Sequence, residues 1–383
     1  MKKRICFRRV LLLALLIILL FCFFSCAKKP PETVHHISFT ELGIPSEESY
    51  PKGDAARCPW DMIVYESKLY LGGGDFDKNA GPVTVYCYDT QKEGFSESGT
   101  LPEEEINRFL LLDGTLLTVG VDPKEDWSFG NYYTLEEGVW VRHRTLPNGI
   151  HNFDFLSFEG ALFAGLGVAP GGYPVVRSTD GGESFGEVAF EKDGKAVDTV
   201  GHTLVRTYDL FVFDGALYAT LSLGNDAPAY ELYRYDGERN LFVFASDLSE
   251  TVLRIKYNHM RITSNAVHDD TLFLVTGRLY AMNRELGVTE LTLPGASLVC
   301  DLYEDDGKLY FLTAAKEKDG RFKTSVWQLW GEDDMPFVEL FNFLYDVPPV
   351  SLAVDGEDFY LGMGNTTAKN EKNGTVLHVE YSN

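Results

Sequence analysis

A short apolar pattern recurs along most of the chain. In each copy an apolar run ends in an acidic or glycine-containing turn, and a second apolar run then opens with a leucine or phenylalanine. Residues 65–70 and 213–218 are two clear examples. Short apolar runs separated by such turns are typical of β-hairpins, and no comparably long stretch has helical periodicity. The pattern therefore predicts an all-β protein.

The spacing of the copies predicts the architecture. Taking the leucine or phenylalanine of the second run as a marker gives seven markers: Leu69, Leu116, Leu162, Leu217, Leu272, Leu309 and Phe359. They are separated by 47, 46, 55, 55, 37 and 50 residues, and we number the copies repeat 1 to repeat 7. Repeats of this length are typical of β-propeller blades, four-stranded sheets arranged around a channel. We predict a seven-bladed β-propeller over residues 36–383.

The two ends of this domain are predicted to close the ring. Repeat 7 has one clear strand after its marker, at residues 375–381, and a strand-like run at residues 36–42 precedes repeat 1. Pairing these two segments would complete the last blade with an N-terminal strand and would remove an exposed sheet edge.

A turn motif in repeat 3 is consistent with this fold. Its residues Ser178, Asp180, Gly182, Ser184 and Phe185 follow the order Ser-x-Asp-x-Gly-x-Ser-aromatic. The order resembles the Asp-box (BNR) repeat found in sialidases and many other propellers. In that family the box is structural and lies away from the active site. The resemblance therefore implies a hairpin turn organised by Asp180 and implies no activity.

The first 25 residues are predicted to be a signal peptide. Basic residues within positions 2–9 precede an uninterrupted apolar stretch at 10–24, which is short for a membrane span. Ser25 and Cys26 end the stretch and resemble the bacterial lipoprotein signal, in which the cysteine is lipidated and becomes the N-terminus. An uncleaved anchor helix is the alternative. In the lipoprotein interpretation, residues 26–35 form the lipidated cysteine and its tether.

The residues after the cysteine indicate where the anchor lies. Ala27 and Lys28 follow Cys26, with no Asp in the second position. This resembles the outer-membrane address of some Gram-negative lipoproteins. We therefore expect a bacterial envelope protein held at the outer membrane, facing either the periplasm or the exterior.

Charge excludes one class of partner. The chain has 34 Lys and Arg against 57 Asp and Glu, a net charge of −23. A nucleic-acid binder needs a basic surface, so nucleic acid is excluded as a partner. The acidity also favours neutral or cationic partners over acidic ones such as sialic acid.

Cysteine usage gives little further constraint. Beyond the leader and Cys26, three cysteines remain at Cys58, Cys87 and Cys300, so at least one is unpaired within the chain. A bridge between Cys58 and Cys87 and three separate thiols are both open.

Two sets of polar residues recur at fixed distances before the markers. Aspartates stand eight residues before four of them, at Asp61, Asp154, Asp209 and Asp301. Cationic or titratable residues stand eleven residues before three, at His151, Arg206 and Arg261. Both positions begin an innermost strand, so the side chains are candidates for a ligand site at the channel mouth. The alternatives are that each Asp accepts amides of the neighbouring blade, and that the other three are solvated charges.

One loop has the oxygen spacing of a calcium site. Asp75, Asp77 and Asn79 alternate as calcium ligands do, although the glycine comes one place late and no glutamate closes the loop. Calcium is thus the one cofactor that the sequence suggests, and zinc, nucleotide and dinucleotide motifs are absent from it.

These observations favour a binding module over an enzyme. Propellers present loops on a rigid disc, and aromatic residues at Trp127, Tyr132, Tyr133 and 170–173 suit contacts with a protein or a glycan, although packing between blades would take up some of them. We predict a lipid-anchored, non-catalytic binding or scaffolding module for an envelope protein or glycan. The alternative is a glycoside-active enzyme, sialidase- or lyase-like, that uses carboxylates at the channel mouth.

Overall fold

The computed structural model describes residues 33–35, 37–224, 230–252, 264–331, 337–365 and 367–381. The predicted signal peptide, Cys26 and Arg261 therefore lie outside the described residues. Within the described ranges, no helix is both long and apolar enough to cross a membrane.

The N-terminal half of the described chain forms these strands in order. Before the repeats come β1 (Val34–His35) and β2 (Thr40–Gly43). Repeat 1 forms β3 (Met62–Tyr65), β4 (Lys68–Leu71), β5 (Val83–Asp89) and β6 (Gly94–Leu101), followed by β7 (Glu103–Glu105). Repeat 2 forms β8 (Phe109–Leu112), β9 (Thr115–Val119), β10 (Val121–Pro123), β11 (Phe129–Glu136) and β12 (Val139–Pro147). Two short 3-10 helices lie at Ala55–Arg57 and Phe76–Lys78.

The middle of the chain continues the pattern. Repeat 3 forms β13 (Gly149–Phe158), β14 (Ala161–Val168), β15 (Val175–Ser178) and β16 (Gly186–Glu187). It is followed by β17 (Ala189–Lys192), β18 (Lys195–Ala196) and β19 (Val205–Arg206). Repeat 4 forms β20 (Leu210–Phe213), β21 (Ala216–Leu223), β22 (Glu231–Asp236) and β23 (Leu241–Asp247).

The last three repeats complete the chain. Repeat 5 forms β24 (Ser264–His268), β25 (Thr271–Val275), β26 (Leu279–Met282) and β27 (Val288–Leu291). Repeat 6 forms β28 (Leu298–Asp305), β29 (Lys308–Lys316), β30 (Phe322–Leu329) and β31 (Phe337–Tyr345). Repeat 7 forms β32 (Pro349–Asp355), β33 (Asp358–Met363) and β34 (Val376–Glu380).

These strands confirm the predicted all-β propeller. Five sheets stand as separate four- or five-stranded units, from repeats 1, 2, 5, 6 and 7. The seven repeats do not give seven separate sheets, because the strands of repeats 3 and 4 belong to a single 13-stranded sheet. The cause is the short strands β7, β10 and β19, which hydrogen-bond across from one repeat to the next and which we call the link strands.

The repeats pack in chain order, and the last contacts the first. The markers supply this packing: Leu69, Leu116, Leu217 and Leu272 are all fully buried. They belong to apolar clusters that join neighbouring sheets, such as the cluster that unites Phe211 of repeat 4 with Leu272 of repeat 5. Strand β32 of repeat 7 lies against β3 of repeat 1, so the repeats form a closed ring.

An N-terminal strand completes the last sheet, as the sequence predicts. Strand β2 pairs antiparallel with β34, with Thr40 opposite His378. Just before it, β1 pairs in parallel with β31, the outer strand of repeat 6. The described chain therefore begins on the outer edge of repeat 6 and crosses to repeat 7. All three cysteines of the body, Cys58, Cys87 and Cys300, are free thiols.

Candidate functional site

The recurring aspartates bind the repeats to one another. The Asp61 carboxylate in repeat 1 accepts a hydrogen bond from the Phe109 amide of repeat 2, at 2.6 Å. Asp154 in repeat 3 accepts from the Leu210 amide of repeat 4 at 2.8 Å. In each case the donor directly follows the equivalent position in the next repeat. The same geometry therefore recurs around the ring.

Repeats 5 to 7 continue these contacts and return to repeat 1. Asp301 accepts from the Leu352 amide of repeat 7 at 3.0 Å and from the Ser264 hydroxyl of repeat 5 at 2.7 Å. Ser351 occupies the equivalent position in repeat 7 and donates to the Pro59 carbonyl oxygen at 2.5 Å. The same position thus also links repeat 7 to the segment that leads into repeat 1.

These contacts bear on the two interpretations of the aspartates. Asp61, Asp154, Asp209 and Asp301 are all at most 3% exposed. Burial raises the pKa of Asp154 to about 6, and the Arg108 guanidinium, 3.4 Å away, opposes the rise. The structure supports the structural alternative at Asp61, Asp154 and Asp301, because their oxygens are occupied by the neighbouring repeat. The described carboxylates of this set therefore do not form an open ligand site.

A different row of residues lies at one end of the innermost strands. The short link strands align six residues across successive strands, each opposite the next. We call these the mouth row: Glu105, Val121, His151, Gly167, Arg206 and Ser222. Residues opposite one another across strands place their side chains on the same face, so the row brings together two of the predicted site residues, His151 and Arg206.

Packing above Gly167 fixes the ring of His151. A Cβ atom at Gly167 would lie 2.9 Å from His151 Cδ2 and 3.1 Å from Phe153 Cε2, so only glycine leaves room for both rings. The imidazole stacks on Phe153 with the centroids 5.4 Å apart, and its Nδ1 lies 3.6 Å from the Asp122 carboxylate. Burial and the nearby Arg206 charge lower the pKa of His151 to about 3, so its ring is neutral.

Arg206 is held by aromatic groups. Its Nη1 donates to the Tyr208 hydroxyl at 2.9 Å, and its guanidinium carbon lies 5.8 Å from the ring centroids of both Phe153 and Tyr208. The Nε of Arg206 and the Nδ1 of His151 are buried and make no hydrogen bond. Such atoms cost free energy, and the mouth row brings two of them together beside a guanidinium, so it is the candidate site.

Acidic groups surround this site. Asp122 precedes Pro123 in a link strand and has a φ of 55°, in the left-handed region that the other positive-φ aspartates of the described chain adopt in hairpin turns. Burial and the Glu104 charge raise its pKa to about 7, while Arg206 opposes the rise. Burial likewise raises the pKa of Glu103 to about 7, against hydrogen bonds from Tyr133 and Asn131. The carboxyls of Asp122 and Glu103 are therefore substantially protonated near neutral pH.

Among the acidic residues at or beside the mouth row, Glu105 alone could have been found from the sequence. It stands eleven residues before Leu116, the same distance at which His151 and Arg206 stand from their own markers. Asp122 and Glu103 have no such equivalents, because the link strands that place them differ in length between repeats. Arg261, the third member of the predicted set, lies outside the described residues.

The predicted calcium ligands have other partners. Lys78 lies 2.7 Å from one oxygen of the buried Asp75 through its ammonium, and its amide donates to the other at 3.1 Å. Asn79 accepts from the ammonium of Lys124, and Asp77 is exposed. Among the described residues no group of three His, Cys, Asp or Glu side chains is placed to hold a metal ion. Calcium at this loop stays a prediction.

The Asp-box residues form the predicted turn. Asp180 accepts from the Ser184 amide at 3.0 Å and from both serine hydroxyls of the motif. These bonds, from Ser178 first, lower the pKa of Asp180 to about 2. Phe185 returns against Tyr132 and Phe155, and the amide of Gly182 donates to Ser178. The turn is self-contained and presents no site.

A second feature is an exposed aromatic loop at residues 124–129, which we call the Trp127 loop. The side chain of Trp127 is 56% exposed and that of Phe129 is 44% exposed. Arg144 on the outer strand β12 donates to the carbonyl oxygens of Phe129 at 2.9 Å and Asp126 at 2.7 Å. Glu125 pairs with the same arginine at 3.2 Å. The loop is thus held with its aromatic rings outward.

The neighbouring loop of repeat 3 extends this surface. The Asn148 amide donates to the Ser128 carbonyl oxygen, and its side chain donates to Glu187 at 3.0 Å. Glu187 in turn lies beside Gly172, and the adjacent Gly171 bonds to the backbone next to Val200, which is 72% exposed. Tyr132 and Tyr133 are not part of this surface, because β11 begins at Phe129 and carries both tyrosines into the packing between repeats.

Comparisons with known proteins bear on the fold. No protein-family model matches the chain, and no curated protein matches it. A virginiamycin B lyase from Staphylococcus aureus is similar in structure, with a TM-score of 0.54 and 14% identity over 90% of this chain and 99% of that one. A catalytically inactive variant of that lyase with quinupristin has a TM-score of 0.51 and 13% identity, over 84% and 94% of the two chains.

A further similar structure comes from a different biological context. A chain of the mitotic checkpoint complex has a TM-score of 0.51 and 9% identity over 93% of this chain and 98% of that one. Identities this low carry the fold and nothing finer. The chain has the β-propeller fold, which these proteins share across unrelated functions.

Proposed function

We propose that the chain is an exported, lipid-anchored β-propeller that binds an envelope protein or glycan and does not transform it. The observation that carries this proposal is the Trp127 loop. It presents Trp127 and Phe129 to solvent while Arg144 fixes the backbone on both sides of the tryptophan. Tryptophan is among the residues most enriched in the centres of binding interfaces, so this loop is the candidate contact surface.

The rigidity of the loop bears on affinity. A loop that is ordered before binding loses little conformational entropy when the partner arrives. The Ser128 amide donates to the Asp126 carboxylate at 2.9 Å, and Arg142 pairs with Glu125 at 2.9 Å, so these contacts and those of Arg144 restrain the six residues. Aromatic anchors on a fixed loop suit a preformed pocket in a partner.

The charge around the loop bears on the kind of partner. The side chain of Asp126 is 70% exposed and that of Glu125 is 42% exposed, beside a chain of net charge −23. Arg142 and Arg144 pair with these two carboxylates, so the loop itself is close to charge-balanced, and the preference comes from the charge of the whole chain. A neutral or basic partner is therefore favoured over an acidic glycan.

We also propose that the ring has seven blades. Repeats 3 and 4 each have four strands of their own, and within the 13-stranded sheet the two sets are joined through β19, which has two residues. In a ring of seven, repeat 6 lies across from repeats 2 and 3. The tether meets the outer edge of repeat 6 through β1, so the Trp127 loop would face away from the membrane.

The reach of the tether agrees with that orientation. Cys26 precedes Thr33 by seven residues, and Thr33 is fixed to the Glu339 carbonyl oxygen by its hydroxyl. Seven extended residues span at most about 25 Å. A lipidated Cys26 would hold repeat 6 close to the bilayer and leave repeats 2 and 3 free for a partner.

The test is chemical cross-linking in native membranes, followed by purification through a C-terminal tag. We expect a stoichiometric envelope protein with the natural chain and at least about a tenfold loss with Trp127→Ala/Phe129→Ala. Val212→Ser is the matched control, because Val212 is 37% exposed on repeat 4 and should leave capture unchanged. Equal capture by the double variant would contradict the assignment of this loop.

Two readouts separate the other parts of the proposal. Mass spectrometry of the purified chain should show an N-terminus at Cys26 carrying lipid, and an intact Met1 would contradict the anchor. Absence of any captured protein, together with glycan binding that requires Trp127, would identify a glycan as the occupant.

The alternative enzyme has one observation in its favour. His151 and Asp122 lie 3.6 Å apart at the channel mouth, an arrangement that could serve a general base. A glycosidase of the usual kind needs two free carboxyls about 5–10 Å apart, and the aspartates predicted for this role hold neighbouring repeats together. Turnover of oligosaccharides by the natural chain that is lost in His151→Ala would establish this alternative.

A further inference from the structure

Arg206 has no carboxylate partner. Its side chain is half-buried, and in the described part of the chain no carboxylate lies within ion-pair distance of it. Its one hydrogen bond goes to the Tyr208 hydroxyl, and its Nε is buried without a partner. By contrast, Arg108 and Lys192 each face a carboxylate, Asp154 and Glu231 respectively. Removing a charge from water without a counter-charge is costly, so this arginine is set up for an anion from outside.

The two groups next to Arg206 add hydrogen-bonding capacity. His151 is neutral, so its ring offers one donor and one acceptor, and its Nδ1 has no hydrogen bond. Its side chain is 12% exposed and that of Asp122 is 17% exposed, so both remain accessible from the channel mouth. The separation of 3.6 Å between them exceeds a hydrogen bond. A small group that reaches the three side chains would satisfy atoms that the chain leaves unpaired.

We propose that Arg206, His151 and Asp122 bind a single carboxylate group of a small ligand at this end of the channel. Arg206 supplies the positive charge, and the protonated Asp122 and the imidazole supply hydrogen bonds. A monoanion is favoured over a dianion such as phosphate, because Glu104 and Asp77 already place negative charge beside Asp122. This site is separate from the Trp127 loop and does not depend on the function proposed for that loop.

The site makes binding depend on pH. Asp122 is faced by His151 from β13, Arg206 from β19, Glu103 and Glu104 from β7, and Asp77 from the 3-10 helix Phe76–Lys78. The pKa of Asp122 lies at about 7, and only the protonated form donates a hydrogen bond to a carboxylate. The ionised form repels it. Affinity should therefore fall about tenfold between pH 6 and pH 8, as the proton is lost.

The experiment uses 4-fluorobenzoate as the probe and the full chain in detergent micelles. Fluorine NMR line broadening measures the fraction of probe bound. We expect broadening at pH 6 that is abolished by Arg206→Gln and unchanged by Arg234→Gln, which removes an exposed arginine from the same repeat. Trp127→Ala should also leave it unchanged, which keeps this test independent of the partner-binding surface.

A second variant decides the role of the carboxyl. Asp122→Asn cannot ionise and keeps a donor, so it should bind the probe at pH 8 as tightly as the natural chain does at pH 6. Unchanged binding in a folded Arg206→Gln variant would overturn the proposal, and so would a pH dependence that survives in Asp122→Asn. Competition by inorganic phosphate as strong as by acetate would overturn the assignment to a monocarboxylate. If Arg206→Gln fails to fold, the Asp122→Asn result decides alone.

Discussion

Two sets of residues, the recurring aspartates and the mouth row, lie close together in this molecule and differ in what their side chains bind. The aspartates placed eight residues before the markers are buried, and Asp61, Asp154 and Asp301 bond to the next repeat. In the mouth row, His151 and Arg206 each stand three positions before one of these aspartates, and His151 Nδ1 and Arg206 Nε make no hydrogen bond. Repeated positions thus serve the repeated need to join neighbours.

The comparison identifies where function is to be sought in a repetitive fold. A side chain that recurs in most repeats meets the same surroundings in each, so its partners are found within the ring. Asp122 and the Trp127 loop have no counterparts in the other described repeats: the other aspartates with positive φ lie in hairpin turns, whereas Asp122 lies in a strand, and Trp127 is 56% exposed. Features that occur once and are costly to maintain are the better functional candidates.

The largest effect is expected from Asp154→Ala, which disrupts the contacts that the recurring aspartates make between repeats. The substitution removes the acceptor of the Leu210 amide and leaves Arg108 buried without its carboxylate. We expect a loss of about 3–5 kcal/mol in the free energy of unfolding, measured by urea denaturation at pH 7. Adding Arg108→Met should recover part of the loss, because no unpaired charge then remains. A loss below about 1 kcal/mol would mean that these contacts do not hold the repeats.

A change of pH tests the acidic surroundings of the mouth row. The pKa of Glu103 is raised by burial from its ordinary 4.5 to about 7, so the folded chain holds a proton that the unfolded chain has lost. Stability should therefore fall as pH rises through this window. Between pH 5.5 and pH 8 this one group should lower the free energy of unfolding by about 2 kcal/mol.

Glu103→Gln is the matched variant for that measurement. Glutamine keeps an oxygen that can accept from the Tyr133 hydroxyl, which lies 2.7 Å from Glu103. The decline between pH 5.5 and pH 8 should become shallower and retain the contributions of Asp122 and Asp154, whose pKa values are also raised. An identical pH profile in the variant would show that Glu103 is ionised in the folded chain.

The smallest effect is expected at the Asp box. Asp180 is a solvent-exposed carboxylate whose bonds all lie within its own turn, and the pKa is lowered to about 2. Because the folded-state pKa is below the ordinary value, its contribution is present at neutral pH and is lost only in strong acid. Asp180→Asn should shift the urea midpoint at pH 7 far less than Asp154→Ala does. An equal shift would contradict the contrast between a local turn and a contact between repeats.

The sequence predicted the parts of the fold that depend on local pattern. Apolar runs, turns and spacing gave the all-β propeller, and the need to cover a sheet edge gave the pairing of β2 with β34. It did not predict that repeats 3 and 4 would share a sheet, because the two-residue strand β19 has no periodicity to recognise. Which of the aromatic residues of repeat 2 would be buried was left open for a similar reason, since the start of β11 at Phe129, ahead of Tyr132 and Tyr133, has no turn signal in the sequence.

Only part of the candidate site could be predicted from the sequence. Spacing placed His151 and Arg206 at one level, and the structure aligns them across Gly167. Spacing could not distinguish an aspartate that bonds to a neighbouring amide from one that faces a ligand, because that depends on which backbone groups lie opposite. Asp122 reaches the site through a backbone conformation that no sequence pattern marks.

The most direct test of the central claim is site-specific photo-cross-linking in native membranes. The claim is that the non-repeated Trp127 loop contacts the partner. A photoreactive residue at Phe129 should cross-link to one envelope component, whereas the same residue at Val212, exposed on repeat 4, should not. Cross-links of equal yield and identity from both positions, or from Val212 alone, would contradict the account.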